Sequence, residues 1–455
     1  MSTENLLRHV TDDAALRREQ LGKLVSYQSL AFPGNDPKQS EECAQLVADM
    51  LQELGFTDIE MLDVGGQNPT VWAETRVDES APTILLYAHY DVQPAPLEQG
   101  WDSDPWTMIE RGGRLFGRGT ADDKAGIVQH LSALRAICAH KGFSTVSELP
   151  FNIKVCFEGE EEYGDSLPTY IPTDSKRFAA DIFLVCDGGN LEVGKPLLQT
   201  TLRGVAELTF SLRTLPNAQH SGAFGGPAPD AFLALTRLVQ SMYDGAGNTV
   251  IAGVKSSDYE GGIDYSEDLF RRQIEVSSEG ELAGTGSIAS RLWTRPAATV
   301  VGVDMPSVKA SSNIVIPEVS AKISLRFPPG QSGAEVLGAL KKHVQTHVPW
   351  KAEISFIDEN VMNAFATGSS DGPYAEIMKE CLTEAFELPC VEGGSGGSIP
   401  LLEVLQKASP DAEFLLFGPI DNEQANMHGA NESVCELELE KSTKAEALFL
   451  DRLTH

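Results

Sequence analysis

Cysteine is scarce and unpaired in this chain: seven in 455 residues, at positions 43, 138, 156, 186, 381, 390 and 435, with no CxxC among them. An odd, scattered set argues against a disulfide framework and against a cysteine zinc site, and it fits a reducing compartment. Positive charge is also short. Lys and Arg number 35 against 66 Asp and Glu, a formal net charge of −31, so neither nucleic acid nor an anionic membrane is expected as a partner. No apolar run is long enough to span a bilayer. The opening MSTENLLRHVTDD lacks the charged-then-apolar architecture of a signal peptide, and the expected setting is the cytoplasm. Internal repeats and low-complexity tracts are missing. There is no G-x-S-x-G nucleophile elbow, and the GxGxxG-like stretch at 393–398 lacks the strand-then-helix context of a nucleotide site.

What is present is a globular composition, 42% apolar and 22% charged, long enough for two or three domains. Leu16 to Tyr27 and Ser40 to Leu54 carry apolar residues at helical spacing. The period then changes. Thr83–Tyr87, Phe151–Phe157, Ile182–Cys186 and Glu413–Phe417 are short apolar, partly β-branched runs, with a helical stretch at Ala125–His140 between the first two. Buried strands alternating with helices predict an α/β domain with a mostly parallel sheet. Between residues 200 and 364 the pattern differs: Ala206–Arg213, Ala321–Phe327 and Ala352–Phe356 alternate apolar and polar, and Pro229–Tyr243 and Gly333–His347 read as amphipathic helices. With Asn313–Ile316 as a fourth strand and Asp244–Arg295 as an excursion, the order is β-α-β-β-α-β. The expected architecture is a catalytic domain in two parts, 1–199 and 365–455, interrupted by an α+β, ferredoxin-like insert at 200–364.

Metal-capable side chains follow the buried strands at their carboxyl ends, where open α/β sheets place their ligand crevice. His89-Tyr90-Asp91 follows the first run, the acid run Glu158–Glu162 the second, Asp187 the third, and a loop leads from the fourth to His428. Asp122-Asp123 precedes the Ala125 helix. Taken alone, each has an ordinary explanation: a surface turn, a solvated acidic loop, a helix cap, a tight turn at Asp187-Gly188-Gly189. Their joint placement is what points to a divalent metal such as Zn²⁺ or Mn²⁺ with nitrogen and oxygen ligands.

The motifs AHYDV (88–92), GRGTADDKAG (117–126), EGEEEYGD (158–165), VCDGG (185–189), AQHSGAFGG (218–226), GGSIP (396–400) and MHGANE (427–432) resemble the M20 family of metallopeptidases. This family comprises dinuclear-metal dipeptidases, carboxypeptidases and deacylases, and the likeness is to its cytosolic non-specific dipeptidase and carnosinase-like branch. The resemblance implies one metal held by His89 and Asp187, a second by Glu162 and His428, and Asp122 bridging them, with a cis peptide between Asp122 and Asp123. The expected cofactors are two divalent ions, Zn²⁺ first and Mn²⁺ as the alternative. It further implies that Glu161 is the general base acting on a water shared by the two cations, and that Asp91 orients Glu161.

On the substrate side the resemblance implies that His220 donates to the carbonyl oxygen as it gains charge, from the partner subunit of a homodimer formed through the insert, which acts as a lid. Arg326 would grip a substrate carboxylate, with Ser398 at a helix start and Asn313 assisting. The activity implied is hydrolysis of short peptides carrying a free carboxylate. Two alternatives stay open from sequence: an amidohydrolase of the same family acting on N-acyl amino acids, and a non-catalytic binding protein that retains the fold.

Overall fold

The computed structural model describes residues 2–261, 263, 265–367 and 372–454. Its main elements in chain order are α1 (Thr3–Asp12), α2 (Ala14–Val25), α3 (Pro37–Glu53), β1 (Asp58–Leu62), β2 (Thr70–Thr75), β3 (Thr83–His89), α4 (Lys124–Lys141), β4 (Asn152–Glu158), β5 (Ile182–Val185), β6 (Leu197–Leu202), β7 (Gly204–Arg213), α5 (Ala231–Gln240), β8 (Ala297–Asp304), β9 (Glu318–Phe327), α6 (Gly333–His347), β10 (Glu353–Met362), β11 (Glu413–Leu416) and α7 (Glu436–Arg452). The chain divides into two compact units. The larger holds Met1–Thr200, Thr367–Gly393 and Pro400–His455, and the smaller holds Thr201–Ala366 and Gly394–Ile399.

The larger unit is built on a sheet of order β1-β2-β4-β3-β5-β11-β6. Its centre is parallel: β3 pairs with β4 and β5, and β5 with β11. Antiparallel strands flank it on both sides. The central strands are buried along their whole length, which is why they read as continuous apolar runs rather than alternations. Helix α4 is buried on nearly every side, including Gln129, His130 and Ser132, as a helix within a core must be. His130 settles its polar ring there by contacts at 2.7 Å to Glu446 and 3.1 Å to the Tyr87 carbonyl.

The smaller unit is a four-stranded antiparallel sheet of order β8-β9-β7-β10. Strand β9 alternates buried and half-buried residues without a break. Its buried side, with Ala206, Leu208 and Phe210 of β7, packs with Leu235 and Leu238 of α5 and Val336, Leu340 and Val344 of α6. Helix α6 starts with a capping box between Ser332 and Glu335. The chain order is β-α-β-β-α-β, but the second strand is Ala297–Asp304 rather than Asn313–Ile316. Residues 314–315 instead form a short ribbon with Gln219–His220. Strand β8 escapes sequence reading because it is an edge strand, mostly exposed on both faces, so no core imposes alternation on it. The glycine-rich GGSGGSIP begins inside a strand, Val391–Ser395. A Cβ on Gly394 would lie 2.7 Å from Trp293 and 2.8 Å from Thr201, so only glycine fits that approach.

Candidate metal centre

Register explains how distant segments meet in the larger unit. His89 ends β3 directly opposite Glu158, the last residue of β4, so the segments that follow leave the sheet side by side. Asp187 follows β5 by two residues, and Asp122-Asp123 lies immediately before α4. The peptide between Asp122 and Asp123 is cis.

His89 is fully buried. Its Nδ1 lies 3.0 Å from the Asp91 carbonyl oxygen, which can only accept, so Nδ1 carries a hydrogen and Nε2 is turned towards Asp122 Oδ1 at 2.9 Å. The other Asp122 oxygen is 3.1 Å from His428 Nε2, and that same nitrogen is 3.1 Å from Glu162 Oε2. One carboxylate therefore faces two imidazoles. Asp91 accepts from the backbone N–H of Glu161 with one oxygen and from that of Glu162 with the other, both at 3.0 Å. It thus orients Glu161 through the main chain rather than through the carboxyl group. His428 is held in the left-handed region at φ 61°, a conformation that is costly outside glycine and is found where a site requires it.

Two sets of donors result. His89, Asp123 and Asp187 each offer an atom within 4.8 Å of the others, as do Asp122, Glu162 and His428. Nitrogen and oxygen donors in this mixture fit divalent cations, and the electrostatics of the chain's own groups agree. Burial pushes the Asp187 carboxyl up to about 7 although His89 pulls it down. Burial also raises Glu161 well above the ordinary glutamate range, with His89 opposing and Asp187 and Glu162 adding to the rise. His428 is pushed up to about 10 by its hydrogen bonds to Asp122 and Glu162. The Oδ1 of buried Asp123 has no hydrogen-bond partner. Carboxylates this crowded and this dry are stabilised by added positive charge.

Sequence reading gave three residues here no role of their own. Asp123 joins the His89 and Asp187 group and accepts from the His89 backbone N–H. Glu432 accepts from the N–H groups of Ala121 and Asp122 at 2.9 and 3.1 Å, fixing the backbone that presents Asp122. Arg118 pairs with Glu432 at 2.5 Å, both fully buried. Arg118 and Glu432 lie inside the GRGTADDKAG and MHGANE motifs, but only tertiary structure shows that they meet.

In the smaller unit, His220 pairs with Ile314 in the short ribbon. Its Nδ1 accepts from the Gly222 N–H at 3.0 Å, which leaves the exposed Nε2 as the donor. Asn313 lies beside it, its carbonyl accepting from Ser221 N–H at 2.9 Å. Arg326, on central strand β9, donates from Nη1 to Ser398 Oγ at 3.0 Å. Ser398 in turn donates to the Arg203 carbonyl, which with the Arg203 N–H to Ser395 bond ties residues 394–399 to this unit.

Residues 85–452 match the family model of peptidase family M20/M25/M40. The chain is 39% identical over 439 residues to the cysteinylglycine-S-conjugate dipeptidase of Corynebacterium striatum, covering 95% of this chain and 94% of that one. It is 27% identical to the Cys-Gly metallodipeptidase dug1 of Schizosaccharomyces pombe, over 94% and 93% of the two chains. Among solved structures, the di-peptidase Dug1p of Saccharomyces cerevisiae superposes with a TM-score of 0.83 at 22% identity, covering 100% of this chain and 98% of that one.

Proposed function

We propose that this chain, which belongs to peptidase family M20/M25/M40, hydrolyses the peptide bond of dipeptides with a free carboxylate. The observation that carries the reading is Asp122 standing between His89 and His428, with Asp123 and Asp187 grouped with His89 on one side and Glu162 with His428 on the other. His89, Asp187 and Asp122 would hold one divalent ion, and Glu162, His428 and Asp122 the other, zinc first and manganese as the alternative. When bound, such a pair supplies Lewis acidity at the carbonyl and lowers the pKa of water.

The remaining work falls to side chains. Glu161, its affinity for protons raised by burial, takes a proton from water and delivers it to the departing amine, which needs a base able to hold a proton near neutral pH. Asp91 keeps Glu161 and Glu162 in place through their N–H groups. His220 Nε2 donates to the carbonyl oxygen as charge grows there. Arg326 and Ser398 receive the substrate carboxylate, a guanidinium and a hydroxyl being suited to it, and Asn313 assists from the His220 ribbon.

The unit carrying His220 is the lid, and a homodimer forms through it. Supporting this, edge strand β8 exposes Val301 and Val303, followed by exposed Met305 and Val308, an unprotected apolar edge of the kind that pairs with another chain. Val301→Lys should convert the dimer to monomers in sedimentation. The seven cysteines are all free and no described helix is long and apolar enough to cross a membrane, in keeping with a cytoplasmic enzyme.

The test is a panel of dipeptides, Cys-Gly and its S-conjugates included, set against N-acyl amino acids, with Zn²⁺ or Mn²⁺ restored to the stripped protein. Turnover of unblocked dipeptides is expected. Turnover of the N-acyl compounds alone would replace this reading with an amidohydrolase.

A further inference from the structure

Arg203 is the single residue between β6 and β7, and it is 8% exposed. Its Nε and Nη1 are buried without a hydrogen-bond partner. Arginine keeps its single positive charge at any physiological pH, and a buried guanidinium with idle donors is costly. Its surroundings are built rather than accidental. Val205, two residues on, is the register partner of Arg326, so the two arginines belong to the same end of the sheet. Ser398 connects them, accepting from Arg326 and donating to the Arg203 carbonyl. Gly396 closes over the fork, where a Cβ would come 3.1 Å from Arg203 Nη2. Burial, then the charge of Arg326, pushes the Arg203 guanidinium down to about 10. Glu207 supports the charge on Arg326, and among the described residues no carboxylate does the same for Arg203.

We propose that Arg203 is a specificity-determining residue: a second, buried guanidinium that, with Arg326 and Ser398, receives one substrate carboxylate and makes a free carboxylate obligatory. This rests on the reading of Arg326 and Ser398 given above and adds to it a residue that no motif marked. Two guanidiniums offer more donors than a neutral carboxamide can satisfy, since an amide brings one acceptor oxygen and an NH₂ that would face a guanidinium. The same arrangement implies that Arg203 is kept at a cost to stability, as buried unbalanced charges at functional sites are.

The experiment compares alanyl-glycine with alanyl-glycinamide as substrates of the metal-loaded enzyme, wild type against Arg203→Met, with thermal unfolding of both proteins. The wild type is expected to favour the acid strongly in kcat/KM. Arg203→Met is expected to lower turnover of the acid by about 10- to 100-fold, the scale of one or two charge-assisted hydrogen bonds, to leave the amide almost unchanged, and to unfold at the same or a higher temperature. A folded Arg203→Met that keeps the wild-type acid-to-amide ratio overturns the proposal while leaving Arg326 in its role. A wild type that does not discriminate acid from amide overturns the carboxylate reading of the whole subsite. Should Arg203→Met fail to fold, Arg203→Gln decides by the same ratio. Failure of both to fold makes Arg203 structural and overturns the proposal as well.

Discussion

At the scale of single residues, neighbours in the acid run Glu158–Glu162 have different tasks. Glu158 is buried in the sheet beneath the Tyr87 hydroxyl at 2.6 Å. Glu160 accepts from the backbone of Gln67 and Asn68. Glu162 joins the His428 and Asp122 donor group, and the charges of His89 and Asp187 act on Glu161. Glu161→Gln is expected to keep its metal by elemental analysis while losing about 10²- to 10⁴-fold in kcat, the usual worth of a general base. Undiminished turnover would remove Glu161 from that role. Glu432→Ala strands Arg118 in the core, so it should cost about 3–5 kcal/mol in denaturant unfolding and weaken metal retention by freeing the Asp122 backbone. Histidines and carboxylates at strand ends were legible in sequence because their chemistry and position coincide. The roles of Asp123, Arg118, Glu432 and Arg203 were not, since they depend on which backbone or side chain the fold brings against them.

At the scale of elements, legibility followed burial. Strands β3, β4, β5 and β11 are enclosed on both faces and announced themselves as apolar runs; β7 and β9 have one enclosed face and announced themselves as alternations. Strand β8 has almost no enclosed face, which is why the reading moved its place in the insert to Asn313–Ile316. The glycine-rich strand at Val391–Ser395 was equally opaque, because close approach to Trp293 selects for the absence of a side chain. That packing is testable: Gly394→Ala should destabilise by about 1–3 kcal/mol through overpacking. Gly397→Ala, whose Cβ would meet only Ser395 Oγ at 3.7 Å, should be nearly neutral in the same melt.

At the scale of the whole molecule, the crowded acids couple stability to pH. In protein stripped of metal, Asp187 and Glu158 keep protons to about 7 and about 8, chiefly through burial, and His428 to about 10 through Asp122 and Glu162. Unfolded, these groups release their protons near 4, 4.5 and 6.5. The folded state therefore binds more protons across this range, and stability must fall as pH rises from about 5 towards 9. Divalent ions should flatten that slope in calorimetry; a stripped protein that gains stability with pH would contradict the burial of these groups. The proposed dimer, if His220 acts on the partner's site, predicts that mixing His220→Ala with Glu161→Gln subunits restores activity that neither homodimer has, and a verified heterodimer without rescue would refute it. The central claim is the pair of ions joined by Asp122, and anomalous diffraction at the zinc edge from crystals of the zinc-loaded protein tests it directly. The account predicts two peaks per chain, both touching Asp122, one flanked by His89 and Asp187 and the other by Glu162 and His428. A single peak, or peaks away from Asp122, would contradict it.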